Sequence, residues 1–212
     1  MRIVFATANL HKVREAQEIL GPGFEIVIPS SLGITEDIPE TGETIEENSL
    51  QKAMYVFERT GLACFADDSG LFVDVLGGAP GVHSARYAAE VAARDGHPDV
   101  SVDHVFEANV RTLLAELSRK GPQASRKACF RTAVTLVLPD GTRRVFYGEM
   151  PGSIATSPSG TAGFGYDPVF IADACADGRT IADTSDEFKN SISHRGKALR
   201  TMSDWLASNP GI

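Results

Sequence analysis

The 212-residue sequence holds only three cysteines, Cys64, Cys129 and Cys175, an odd number set far apart. No CxxC occurs, so neither a zinc site nor a disulfide framework is indicated, and buried thiols in a reducing compartment are expected. Basic charge is also short. Twenty lysines and arginines face 28 acids, a formal charge of -8. That argues against a protein that lives on nucleic acid, which is normally basic or carries a basic stripe. It does not exclude a nucleotide substrate, because a few local lysines can dominate a cleft. No segment reaches the roughly 18 apolar residues of a membrane span, and the opening MRIVFATANLHK lacks the apolar run of a signal peptide. A cytoplasmic protein with no membrane and no nucleic-acid partner is the expectation. Repeats and low-complexity tracts are missing, and so is GxxxxGK[ST], which excludes a P-loop.

What is present is ordinary globular material: 42% hydrophobic and 23% charged residues. The length fits one domain, or one domain with two lobes. Residues 2–7 (RIVFAT) read as a β-strand, 10–20 as an amphipathic helix with Leu10, Val13, Ala16, Gln17 and Leu20 on one face, and 24–28 as a second strand. A polar loop over 29–42 leads to a helix at about 43–60, with Ile45, Leu50, Ala53, Met54 and Phe57 facing inward. Residues 62–66 read as a third strand. This alternation argues α/β with helices covering a sheet. The second half differs. A long strand at 127–138, the hairpin signal Asp140-Gly141 and a strand at 142–149 make the sheet mixed. Residues 88–104 read as a charged surface excursion into a helix at about 102–119. There His97 and His104 with Asp95, Asp99 and Asp103 imitate a metal site without a ligand spacing that recurs, so a solvated loop is favoured. Helices at about 185–191 and 194–208 close the chain.

Five short stretches can carry chemistry. TANLHK (7–12) joins a strand end to a helix start, where free N–H groups and the helix dipole attract anions. Asn9 is a good N-cap, and Lys12 sits in the first turn, unfavourable for a cation unless it reaches a phosphate. IPETGETIEENSLQKA (38–53) crowds Glu40, Glu43, Glu46, Glu47 and Asn48. First-turn acids are normal, but Glu40 lies before the helix, aimed by Pro39. ACFADDSGLF (63–72) places Asp67 and Asp68 where a buried strand ends. Neighbouring strand residues face opposite sides, so this is either a solvated terminus or a metal and proton-transfer site. Glu40 with the aspartates could supply the carboxylates that magnesium takes beside water and phosphate oxygens. SGTAGFGYDPVF (159–170) sets Phe164 and Tyr166 among glycines, as core aromatics in a tight turn or as faces for a flat ring. FKNSISHRGKAL (188–199) places Lys189, His194 and Arg195 around a helix start capped by Ser193. Each is ambiguous alone; together they describe a site for a nucleoside polyphosphate with magnesium.

TANLHK, ETGETIEENSLQKA, ADDSGLFVDVLGGAPGVHSARYA, GFGYDPVF and SISHRGKAL, in this order, closely resemble the inosine triphosphate pyrophosphatase family, from residue 2 to about 206. The resemblance implies a housecleaning hydrolase that cleaves inosine and xanthosine triphosphates, and their deoxy forms, to the monophosphate and pyrophosphate. It implies Mg2+, a homodimer, and a single two-lobed α/β domain over 1–212, its mixed twisted sheet flanked by helices and its active site in the cleft. By position, Thr7, Ala8, Asn9, Leu10, His11 and Lys12 match the triphosphate-binding turn. Glu40 and Asp68 match the metal-binding acids, with Asp68 also the proton acceptor for a metal-activated water that attacks the α-phosphorus. Ser69 matches a substrate contact, and Phe164, Gly165, Tyr166 and Asp167 the nucleoside loop. Lys189, His194 and Arg195 match substrate-binding residues at the base, and Lys52 faces the phosphates. The first motif departs at Ala8, where the family usually has glycine; a methyl group there bears on kinetic efficiency more than on reaction type. A lid over 88–104 is also compatible with the sequence.

Overall fold

A computed structural model describes residues 1–96 and 105–209. In chain order the elements are β1 (Arg2–Phe5), α1 (Leu10–Leu20), β2 (Glu25–Val27), α2 (Ile45–Thr60), β3 (Cys64–Val73), β4 (Pro80–Gly81), α3 (Tyr87–Arg94), α4 (Val105–Arg119), β5 (Lys127–Val137), β6 (Arg143–Ile154), β7 (Phe170–Ala172), α5 (Asp186–Ile192) and α6 (His194–Ser208), with single 3-10 turns between some of them. The hydrogen-bonded strand order is β2-β1-β3-β5-β6-β7, with β4 on β3. β1 runs parallel to β2 and β3, whereas β4 and β7 are antiparallel to their neighbours, so the sheet is mixed. The α/β class expected from the sequence holds.

The chain divides into two compact units. The first comprises Met1–Ser69, Thr132–Glu149 and Ser193–Ile212; the second comprises Gly70–Arg131 and Met150–Ile192. The chain therefore passes between them four times, and three passages lie inside β3, β5 and β6.

In the first unit the period-2 alternation of β1 builds two cores, one on each sheet face. Ile3 and Phe5 pack with Phe65, Val134, Leu136 and the α1/α6 residues Ala16, Leu20, Ala198, Leu199 and Met202. Val4 and Ala6 pack with Cys64, Ala66, Val137 and the α2 residues Ala53 and Val56. Phe5 and Phe65 stack at 4.3 Å between centroids, a geometry that contributes about 0.5–1.5 kcal/mol beyond area burial. The β5–β6 turn closes as a hairpin at Asp140-Gly141: Gly141 has φ 86, and Leu138 N donates to Thr142 O at 2.9 Å.

The second unit has its own core, in which Leu71, Val73, Leu113, Leu117, Phe130 and Phe170 are buried together. Phe130 and Phe170 meet edge to face at 4.6 Å.

Four expectations are revised. β3 does not stop at residue 66 but runs ten residues to Val73, so Asp67 and Asp68 lie mid-strand. The Ser-Gly pair continues the strand because Leu71 N donates to Ser84 Oγ at 2.8 Å and Leu71 and Phe72 pair with β4. Leu10 and Leu50 are exposed; the buried stripe of α2 runs Ile45, Asn48, Ser49, Lys52, Ala53 and Val56. Residues 87–94 form helix α3, with Tyr87 and Ala88 buried, rather than a solvated excursion. The expectations placed on residues 97–104, a solvated loop holding His97, Asp99, Asp103 and His104 or a lid, fall outside the described residues. Cys64 and Cys175 are buried, but Cys129 is only partly so. Burial pushes the Cys64 thiol up to about 12, so it is inert.

Candidate functional site

The candidate residues gather in two clusters, one in each unit. The larger is built on the middle of β3. Because successive strand residues alternate, Asp67 shares the face of Phe65 toward α1 and α6, and Asp68 the face of Ala66 toward α2. Both carboxylates are buried, at 1% and 7% exposure.

Asp67 is enclosed by cations. Lys12 Nζ donates to its Oδ1 at 2.9 Å and Arg195 Nε to its Oδ2 at 2.9 Å. The other arm of the Arg195 guanidinium donates to Glu15, which sits one helical turn after Lys12 on α1. Burial works against the Asp67 charge more than any other single effect, but Lys12, Arg195 and Lys52 together outweigh it and hold the carboxyl well below its usual range. Burial lowers the Lys12 pKa, as do Lys52 and Arg195, against the support of Asp67. Arg195 is 3% exposed. Its guanidinium is committed to Asp67 and Glu15, so its geometry favours an internal role over contact with a base.

Asp68 faces a different set. Lys52 Nζ lies 3.2 Å from its Oδ1 and 2.5 Å from Glu40 Oε1, and Asn48 Nδ2 donates to its Oδ2 at 3.2 Å. Burial raises the Asp68 pKa first, with the like charges of Glu40 and Asp67 adding to it against Lys52 and Lys12. A carboxyl displaced upward is a better base at neutral pH than a free one. For Lys52, burial is again the largest single effect and opposes the charge, yet Asp68, Asp67 and Glu40 outweigh it and raise the pKa. Lys52 is thus the resident counter-ion of two carboxylates that point at one position. Hard oxygens converging on a cation are what magnesium takes, with water and phosphate completing its shell. No group of three or more metal-binding side chains occurs among the described residues. Glu40 and Asp68 thus offer two carboxylates, and oxygens from elsewhere would have to complete the shell of an ion held there. Glu47 is excluded from that role because it closes a capping box with Thr44.

Around these acids, Asn9 caps α1, its Oδ1 accepting from His11 N and Lys12 N at 3.0 and 3.3 Å, while Thr7 Oγ1 accepts from Asn9 N. Ala8, Leu10 and His11 are exposed in that turn. Ser69 Oγ lies 2.5 Å from the buried Thr132 hydroxyl. Ser193 caps α6 by accepting from Gly196 N, which places the buried His194 at the first helical position.

The second cluster is the 163–167 loop with Lys189. Gly163 and Gly165 have φ of 77 and 65, which favour glycine. A Cβ on Gly163 would strike the Asp167 carboxylate. Asp167 Oδ2 accepts from Phe164 N at 2.9 Å and from Lys189 Nζ at 2.8 Å, and that ammonium stands 4.8 Å from the Phe164 ring centroid. Tyr166 is not a stacking face. It is buried in the core, its hydroxyl donates to Ser84 O at 2.9 Å, and burial raises its pKa. Phe164, half-buried, is the ring left to meet a ligand.

Glu15 and Thr132 escaped the sequence reading. Glu15 carries a weak signal, an acid three residues after Lys12 on the same helix; Thr132 carries none.

A family model described as the Ham1 family matches residues 3–205. A protein of Porphyromonas gingivalis named dITP/XTP pyrophosphatase is 45% identical over 207 residues, covering 97% of each chain. Its namesake in Symbiobacterium thermophilum is 46% identical over 202 residues, 93% of this chain and 91% of that one. The structure of the Staphylococcus aureus Ham1 protein aligns with a TM-score of 0.82 at 34% identity, over 99% of this chain and 100% of that one.

Proposed function

This chain belongs to the Ham1 family, and from that membership we propose that it hydrolyses inosine, deoxyinosine and xanthosine triphosphates to the monophosphate and pyrophosphate, clearing aberrant purines from the nucleotide pool. Two relatives named dITP/XTP pyrophosphatase over nearly their whole length support the substrate class. The observation that carries the chemistry is Lys52 held between Glu40 and Asp68, a ready-made cation position beside a carboxyl displaced upward.

Glu40 and Asp68 would hold magnesium, which screens phosphate charge and acidifies a nearby water. Asp68 accepts the proton of the water that attacks the α-phosphorus. Lys12 exchanges Asp67 for the departing pyrophosphate, and the α1 start from Thr7 to His11 supplies further N–H donors. Lys52 keeps the acids compensated, and Ser69 contacts the substrate. Phe164 stacks on the base while Gly165, Tyr166 and Asp167 shape its loop. Lys189 and His194 donate toward the purine 6-keto oxygen. An adenine amino group there would set donor against donor, which costs discrimination energy. Arg195 acts on this machinery through Asp67. A cytoplasmic homodimer requiring Mg2+ completes the reading.

A triphosphate panel tests it. Inosine and xanthosine triphosphates are expected to release pyrophosphate, detected as phosphate only after inorganic pyrophosphatase is added. Free phosphate without that enzyme points to a phosphohydrolase, preference for pyrimidines to another pyrophosphatase, and binding without turnover to a sensor. Asp68→Asn is expected to lose about 10²–10⁴-fold in kcat, the usual worth of a positioned acid or base, at an unchanged melting temperature. Near wild-type turnover removes Asp68 from the base role.

A further inference from the structure

Asn48 stands in the acidic stretch 38–53, and the reaction outlined above gives it no part. It is 1% exposed on the buried stripe of α2, one turn before Lys52. Its side chain makes two bonds in different directions. Gly42 N donates to Oδ1 at 2.7 Å, and Nδ2 donates to Asp68 Oδ2 at 3.2 Å. The first bond fixes the second: a backbone N–H can only donate, so the amide oxygen must face Gly42 and the amino group must face Asp68. Asp68 Oδ2 is therefore committed as an acceptor. Oδ1, the atom that faces Lys52, is left to meet a cation.

The same amide moors the loop that carries Glu40. Gly42 lies two residues after Glu40 and presses against α2 so closely that a Cβ there would meet Glu47 Cβ and the Asn48 main chain and Oδ1. Thr41 N is tied to the same helix through Gln51 Oε1 at 2.9 Å.

We infer that Asn48 is a positioning residue that couples the two cation-binding acids, turning Asp68 Oδ1 toward the site and anchoring the Glu40 loop to α2. The inference rests on the reading of Glu40 and Asp68 as metal ligands. Without the Asn48 donor, Asp68 Oδ2 is a buried acceptor with no partner, and the carboxylate gains by rotating to satisfy it. Without the Asn48 oxygen, the Glu40 loop loses one of the backbone straps that tie it to α2.

Mn2+ binding to the metal-free full chain, measured by calorimetry, tests this apart from turnover. Asn48→Ala is expected to weaken Mn2+ by about tenfold or more, the usual cost of removing a group that orients a ligand. Gly42→Ala, which disturbs the mooring and leaves the amide chemistry intact, should also weaken it. In the double variant with Glu40→Gln, the loss should fall short of the product of the single losses, because the two residues act on one arrangement. Asn48→Ser replaces Asn48→Ala if the latter fails to fold. Wild-type affinity in the Asn48 variants, or losses that multiply independently, overturns the inference. Failure of the unmutated chain to bind Mn2+ overturns the metal reading itself, and this inference with it.

Discussion

The four side chains Lys12, Asp67, Arg195 and Glu15 alternate in charge, and Asp67, Arg195 and Glu15 are buried. Such a chain is poor evidence of net stabilisation, because desolvation offsets much of the Coulomb gain. Removing one member is different, since it leaves its partners charged and buried. Arg195→Met is expected to cost about 3–5 kcal/mol, read as a fall in the urea midpoint; an unchanged midpoint would show that the cluster is already solvated. The sequence singled out Lys12 and Arg195 as polar groups at helix starts and left open whether Asp67 is a second metal ligand. In the fold Asp67 sits on the opposite strand face from Asp68 and serves the cations. The Arg195–Glu15 pair was illegible because it joins positions 180 apart, and no local pattern encodes such a pairing.

At the scale of elements, the strand and helix order was legible wherever apolar periodicity was strong, as in β1, α1 and the β5–β6 hairpin. It failed where polar groups take core positions. Ser49 is buried on α2, yet its hydroxyl donates to Ala66 O at 2.9 Å and accepts from Thr135 N at 2.8 Å. Satisfied in this way, a serine replaces the leucine that periodicity alone would place inside. Asp67, Asp68, Ser69 and Gly70 read as a strand terminus for the same reason. The seat of α6 depends on another small residue. A Cβ on Gly148 of β6 would collide with His194 O and come close to Ala198 N. Gly148→Ala is expected to cost about 1–3 kcal/mol, as overpacking does, and to reduce turnover by moving His194. A variant as stable and active as the parent would show that the helix shifts freely.

Across the whole molecule, the two displaced aspartates give opposite pH dependences. Asp67 titrates lower in the folded chain than in the unfolded one. Its contribution is therefore fully present above its unfolded value, about 3.9, and is lost as pH falls below that toward the folded value. Asp68 titrates higher when folded, so between its unfolded and folded values stability declines as pH rises. The Asp67 effect should dominate the acid limb. Asp67→Asn is expected to be less stable than the parent at pH 6 but to lose less of its urea midpoint between pH 5 and 3; parallel limbs would contradict it. The four passages of the chain between the units also bear on synthesis. The first unit takes Arg195, Ala198, Leu199 and Met202 from its last segment. Until α6 has been synthesised, Asp67 has no arginine and the α1 side of the sheet lacks Ala198, Leu199 and Met202. The first unit, though it opens the chain, therefore cannot be completed until both segments of the second unit have been made.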